Sequence, residues 1–244
     1  YLPPKHDIEK NLYKDALGDN ILYEEVNNDL NMTFRYQWLT SKEYGFVKKT
    51  ELINESNKKL KVKIIDGIQN ILPSGLDVQT QQSLSNLSNA YKHSEIITET
   101  KLGVFSLGSL IMDRPDPGES LNANTAWVHS EIDFKPSLSF PSTENSNIYK
   151  EVLTGVSGSY FISSDVNLEL NQKAEWDIIL DVNQNHMSIV KLNSLINLTK
   201  DEINNSVEQG SLSLKKYIGS ADGFQMTSSK NNNLHHTSNV LFNI

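Results

Sequence analysis

Apolar and polar positions alternate most clearly between Asn31 and Leu72. Met32, Phe34, Tyr36 and Trp38 take one phase and Thr33, Arg35 and Gln37 the other, which is the period of two expected of a half-buried strand. The aromatic phase is expected to pack into a core. A second strand is predicted over 44–53 after a short polar turn, and a loop over 54–57. In a third, Leu60, Val62 and Ile64 alternate with Lys59, Lys61 and Lys63, so the lysine side is expected to face water.

Over 77–91 the period changes: Leu84, Leu87 and Tyr91 fall on one helical face, opposite Ser and Asn, which predicts one short amphipathic helix. Strands return over 102–112 and 121–130. Between them lies Asp113-Arg-Pro-Asp-Pro-Gly118, whose two prolines and one glycine let neither strand continue. Residues 135–158, rich in Pro, Ser, Asn and Gly, predict a long surface excursion. Two more strands are predicted over 160–170 and 176–182; in the second, the apolar centre Ile178-Ile-Leu180 predicts burial on both faces. After Asn183 the pattern is helical. Ile189, Leu192, Leu195 and Ile196 share a face, and Thr199-Lys-Asp-Glu202 has the spacing of a capping box that starts a helix to Gly210. A further short piece carrying Leu214, Tyr217 and Ile218 ends at Gly219. These elements predict a mainly β fold, a large antiparallel β-sandwich of at least seven strands with a helical insertion and a helical segment near the C-terminus.

Composition narrows the chemistry. The 244 residues suffice for one large β domain or two ordinary ones. At 37% hydrophobic, no window approaches the roughly 18 apolar residues of a spanning helix, so no membrane partner is expected. Without cysteine there is no disulfide scaffold, thiolate zinc site, iron–sulfur site or cysteine nucleophile. With 22 basic against 30 acidic residues, net charge −8, and scattered lysines, no nucleic-acid partner is expected. Arg35 and Arg114 are the chain's two arginines. Where lysine is the default cation, an arginine can mark a place where the planar fork is needed. The chain opens Tyr1-Leu-Pro-Pro and closes on the apolar run Ser238 to Ile244, which suggests part of a longer polypeptide, with no signal peptide to read.

Histidines stand at 6, 93, 129, 186, 235 and 236, none at the i,i+4 spacing of a two-histidine metal site, and His235-His236 reads as exposed loop. No metal site is predicted. Gly-x-Ser-x-Gly is absent, with partial echoes at Ser106-Leu-Gly-Ser109 and Gly155-Val-Ser-Gly-Ser159. No glycine-rich phosphate loop supports a nucleotide cofactor. Asp66, Asp113, Asp116 and Glu119 lie near strand ends and turns. A glycosidase-type pair needs a fixed separation that sequence spacing does not establish, and turn stabilisation is the simpler role for each. Tyr36, Trp38, Trp127 and Trp176 are candidate platforms for the apolar faces of sugar rings, with core packing favoured for the first two.

Several stretches carry a more specific likeness. The run Glu24 to Trp38, then Ser41-Lys-Glu-Tyr-Gly-Phe-Val47 and Asp66-Gly-Ile-Gln-Asn-Ile-Leu-Pro-Ser-Gly75, resemble the N-terminal β-sandwich region of cellobiose phosphorylase-like proteins. So do Ala90-Tyr-Lys, Leu107-Gly-Ser-Leu-Ile-Met-Asp-Arg-Pro115, Ala221-Asp-Gly-Phe-Gln225 and the closing Ser238 to Ile244, in the same order along nearly the whole chain. The resemblance implies a galactose mutarotase-like supersandwich over 1–183, a helical linker over 184–226, and the start of a following (α/α)6 barrel from 227. In such proteins the barrel carries the catalytic acid, so no residue of this chain is expected to be catalytic. A phosphorylase would use inorganic phosphate as co-substrate where a hydrolase uses water. The resemblance implies a non-catalytic part of a glycoside phosphorylase or hydrolase acting on β-linked glucosides or oligosaccharides, partnered by its own barrel, with homodimerisation compatible. A free-standing glycan-binding or structural sandwich module is the alternative. In either, Arg114 with Asp113 in the Pro-rigid turn, together with Glu119 and Trp127, are the candidate substrate-binding residues, although tying the turn together is the simpler role for Arg114.

Overall fold

The structure, a computed structural model, describes residues 7–15, 17–108, 122–141, 151–195, 199–221 and 239. The chain is mainly β, with antiparallel sheets, and it divides into two units. The first comprises Tyr1–Leu60, Leu168–Asp177 and Thr199–Ile244; the second comprises Lys61–Asn167 and Ile178–Leu198.

In the first unit, strands β1 (Ile8–Lys14), β2 (Ile21–Asn27), β3 (Met32–Thr40) and β4 (Phe46–Asn54) form an antiparallel meander. The turn chemistry is local. Asn27 Oδ1 accepts from the Leu30 amide, and Asn31 takes the left-handed conformation (φ 50°) that asparagine tolerates. Between β3 and β4, Gly45 (φ 72°) returns the chain so that the Ser41 amide donates to the Gly45 carbonyl. The last strand, β12 (Lys173–Gln184), pairs with β4; its residues to Asp177 belong to this unit and those from Ile178 to the second.

A 21-residue helix, α4 (Lys200–Ser220), packs on the β3–β4 end of this meander. The expected capping box starts it: the Glu202 amide donates to Thr199 Oγ1, and the Thr199 amide to Glu202 Oε2. The helix continues through Gly210 to Ser220, where the sequence suggested two pieces. Gly210 is kept for its lack of a side chain, because a Cβ there would stand 2.8 Å from the Thr40 carbonyl oxygen. This close approach lets the Lys42 amide donate to the Ser206 carbonyl.

The second unit is a two-layer sandwich. One layer runs β12-β8-β7-β6-β10, with β6 (Lys92–Ile97), β7 (Leu102–Leu107), β8 (Ala123–His129) and β10 (Val152–Thr154). The other runs β5-β11-β9, with β5 (Leu60–Ile71), β9 (Lys135–Ser137) and β11 (Gly158–Leu168). Glycines allow large rings to cross between the layers. A Cβ on Gly103 would meet the Tyr160 ring at 2.8 Å, and one on Gly158 would meet Phe105 at 2.6 Å. Phe105, Tyr160 and Ile162 are fully buried, and in the apolar centre of β12 Ile178 and Ile179 are buried as expected while Leu180 is half-buried. Lys61 and Lys63 face water, also as expected.

Three local expectations change. The helix predicted over 77–91 is two, α1 (Val78–Ser83) and α2 (Ser85–Tyr91), broken at Leu84, which has φ −128° and ψ 41°. Asp77 caps the first of them, its Oδ1 accepting from the Thr80 amide at 2.6 Å, while Leu84 and Leu87 are exposed and Ser88 is the buried residue. The excursion expected over 135–158 contains β9 and β10, because short polar segments gain strand structure only by pairing with a neighbour. Strands β1, β2 and β6, unpredicted, are mixed in polarity for the same reason. The last helix before α4 is α3 (His186–Leu195). Among the described residues no helix is long and apolar enough to cross a membrane.

Candidate binding site

The meander of the first unit brings distant charges into line. Register places Asn11 opposite Glu24, Glu24 opposite Arg35, and Arg35 opposite Glu51, one row across four strands. Cross-strand partners on one face lie close enough for direct side-chain bonds. Arg35 Nε donates to Glu24 Oε2, and Arg35 Nη1 donates to Glu51 Oε1 at 3.0 Å. Glu24 Oε1 accepts from Asn11 Nδ2 and from the Tyr13 hydroxyl, each at 3.1 Å. A buried carboxylate is tolerated only with such compensation, and Glu24 is 8% exposed.

The electrostatics follow. The Arg35 guanidinium, then the Asn11 amide, hold the Glu24 carboxyl below the usual carboxylate range. Reciprocally, Glu24 and then Glu51 raise Arg35 further, and the hydrogen bond to Glu24 raises the Tyr13 phenol. The alternation of sign continues onto β12 and α4. Lys173 lies 3.9 Å from Glu51 and bonds Glu175 at 2.6 Å, and Lys200 bonds the other Glu175 oxygen at 2.6 Å. Lys173 and then Lys200 hold Glu175 low.

Beside this row the first turns of α4 stand over the sheet, and Lys49 donates to Asn204 Oδ1. Between them lies a cleft of about 530 Å³. Besides Glu24, Arg35, Glu51 and Glu175, its walls include the charged Lys49, Asp177 and Lys200 and the uncharged Tyr13, Leu22 and Gln37. The volume falls within the roughly 300–1,000 Å³ of small-molecule clefts. The wall holds both signs in near balance and is rich in both donors and acceptors. Among the described residues no group of three or more His, Asp or Glu is arranged to hold a metal ion.

The opposite face of the meander is aromatic. Tyr23 and Tyr36 stack at 4.7 Å with an interplanar angle of 11°, Phe34 leans against Tyr36 and Trp176, and Lys48 Nζ lies 5.2 Å from the Tyr36 ring centre. Phe34, Tyr36 and Trp38 are only half-buried, whereas Thr33 and Leu39 on the polar phase are fully buried. The expected burial of the aromatic phase is thus partly reversed, because α4 packs against this meander and buries Ile203, Ser206 and Val207 in doing so.

Of the residues singled out from sequence, Arg114, Asp113, Asp116 and Glu119 lie outside the described residues. Trp127, on β8, is 1% exposed and Trp176 is 2% exposed, so neither ring has a face open for stacking in this chain. Asp66 lies within β5 rather than at a strand end or turn, and it accepts from the next amide, that of Gly67. The Ser159 hydroxyl, in the nearest echo of a nucleophile motif, donates to the Leu138 carbonyl. Sequence reasoning missed Tyr13, Glu24, Gln37, Lys49, Glu51 and Glu175. The one available signal was Arg35, an arginine in a lysine-dominated chain, and its fork does hold two carboxylates.

No protein-family model matches the chain, and no curated protein matches it. Solved structures with a similar course include a protein described as a kojibiose phosphorylase from the human microbiome, 12% identical, TM-score 0.47, covering 84% of this chain and 25% of that one. A family GH92 α-mannosidase from Bacteroides thetaiotaomicron is 12% identical, TM-score 0.41, over 89% of this chain and 26% of that one. Heparinase III is 11% identical, TM-score 0.35, over 72% and 21%. The chain spans about a quarter of the length of these structures.

Proposed function

We propose that the chain is a non-catalytic β-sandwich part of a larger carbohydrate-active enzyme, a glycoside phosphorylase or hydrolase acting on β-linked glucosides or oligosaccharides. In this reading it supports a catalytic (α/α)6 barrel supplied by the rest of the polypeptide, and inorganic phosphate is the co-substrate if the enzyme is a phosphorylase. The sandwich is then of the galactose mutarotase-like kind. The resemblance of the ordered stretches from Glu24 to Ile244 to cellobiose phosphorylase-like proteins supports the carbohydrate reading. The observation that carries the non-catalytic part is the pairing of two cleft carboxylates, Glu24 and Glu175, with cations. Glycoside cleavage by a carboxyl pair needs one acid kept protonated near neutrality, hence a raised pKa. Glu24 is held low by Arg35 and Glu175 by Lys173 and Lys200, so neither of these two suits the role of that acid.

The free-standing glycan-binding module is the second reading; the enclosure of Trp127 and Trp176 counts against it, while Tyr36 and Trp38 are half-buried. The test compares the complete gene product with residues 1–244 on a panel of β-linked disaccharides, with and without phosphate, following reducing sugar and phosphate. Cleavage confined to the complete product is expected. Turnover by residues 1–244 alone refutes the non-catalytic role, and a complete product inert on every glycoside refutes the carbohydrate reading.

A further inference from the structure

Resting on that reading, we propose that the cleft of the first unit is a binding site for a neutral saccharide of one or two rings, formed by the Arg35 row, Lys49 and Tyr13. Three features of the wall define the ligand. The first is charge balance. Arg35, Lys49 and Lys200 stand against Glu24, Glu51, Glu175 and Asp177, so the wall is close to neutral and an ionic ligand of either sign would meet repulsion as well as attraction. The second is unspent hydrogen-bonding capacity held in fixed positions. Arg35 uses two of its five N–H donors, with its side chain 35% exposed, and the two carboxylates clamp the guanidinium plane. Lys49 donates to Asn204 Oδ1 and keeps further N–H donors, while Gln37 donates through Nε2 to Asn20 and keeps its amide oxygen as an acceptor. A ligand that displaces water from such a wall must both donate and accept at closely spaced points, as the vicinal hydroxyls of a sugar do.

The third feature is the pair of apolar surfaces set into this polar wall: Leu22 and the ring of Tyr13, which is 50% exposed. The C–H face of a pyranose lies on such a ring while its hydroxyls reach the polar groups. Tyr13 is held there by its hydrogen bond to Glu24, so the ring belongs to the same clamped assembly.

The experiment titrates the 244-residue chain with glucose, cellobiose and inorganic phosphate by calorimetry and by saturation-transfer NMR, with thermal unfolding of every variant recorded. Lys49→Met removes a wall cation and Tyr13→Ala removes the ring together with its hydrogen bond to Glu24, both leaving the Arg35 bonds in place, and Lys61→Met on β5 is the control. The expected result is saturable binding of a neutral sugar, weakened about tenfold or more, roughly 1.4 kcal/mol, in each wall variant at a temperature where its unfolding curve shows it fully folded, with the control unaffected. Absence of binding to either sugar overturns the proposal, as does binding that is indifferent to the wall variants. Salt-sensitive binding of phosphate in preference to sugar overturns it too. Sugar binding here with a complete product inert on glycosides would retain this site and remove the enzyme reading. Glycoside turnover by the complete product with no binding here would do the converse.

Discussion

Replacing Arg35 by methionine removes the one cation that bonds both Glu24 and Glu51 while keeping the length of the aliphatic stem. Hydrogen bonds to charged groups contribute about 1.5–3 kcal/mol each when buried, and removing one partner of a fully buried ion pair costs about 3–5 kcal/mol. Two facts pull the expectation down. The Arg35 side chain is 35% exposed, so water screens part of the pair, and Glu24 retains Asn11 and Tyr13 as neutral donors. A loss of about 2 kcal/mol at pH 7 is expected, read from urea unfolding followed by tryptophan fluorescence. The pH dependence identifies the cause. Arg35 holds the folded Glu24 carboxyl below the ordinary carboxylate range, so its contribution is complete above that range and is lost as pH falls through the lowered folded value. The parent loses this stability in acid and the variant does not, so the deficit of Arg35→Met narrows below about pH 4.5. A Glu24→Gln, Arg35→Met double-mutant cycle isolates the coupling. A variant within about 0.5 kcal/mol of the parent at pH 7, or a deficit that widens in acid, refutes the reasoning.

Two further substitutions probe packing. Gly210→Ala gains about 1 kcal/mol of helix propensity in an isolated helix, yet its Cβ would sit 2.8 Å from the Thr40 carbonyl oxygen and 3.2 Å from the Ser41 carbonyl carbon, so a net loss of about 1–2 kcal/mol is expected in urea unfolding. Stabilisation by this change would mean that α4 does not rest on the β3–β4 turn. Tyr160→Phe deletes the hydroxyl that donates to the Lys101 carbonyl at 2.7 Å and should cost about 1 kcal/mol. Burial pushes the parent Tyr160 phenol far above the usual range, so in an ultraviolet titration the folded parent and the variant should ionise the same number of tyrosines near pH 10. An extra tyrosine titrating there in the parent would contradict this burial.

Some features were legible in the sequence because their causes are local. The alternation over 32–38 made β3, the continuous apolar run at 178–180 marked a buried part of β12, and Thr199 with Glu202 began α4. Each depends on residues within one turn of helix or a few strand positions, where side-chain period and capping geometry act directly on the backbone. The unusual Arg35 was visible too, though not what it would hold. Tertiary structure decided the rest. Strands β1, β2, β6, β9 and β10 exist because partners supply their hydrogen bonds, and no apolar period announces them. Gly210 reads as a helix stop in sequence and proves to be a contact point within one helix, since only a neighbouring backbone makes a missing Cβ useful. The row Asn11, Glu24, Arg35, Glu51 joins positions up to 40 residues apart, and it is set by hairpin register. Register depends on where each turn falls, and one residue of slip would send every one of these side chains to the other face.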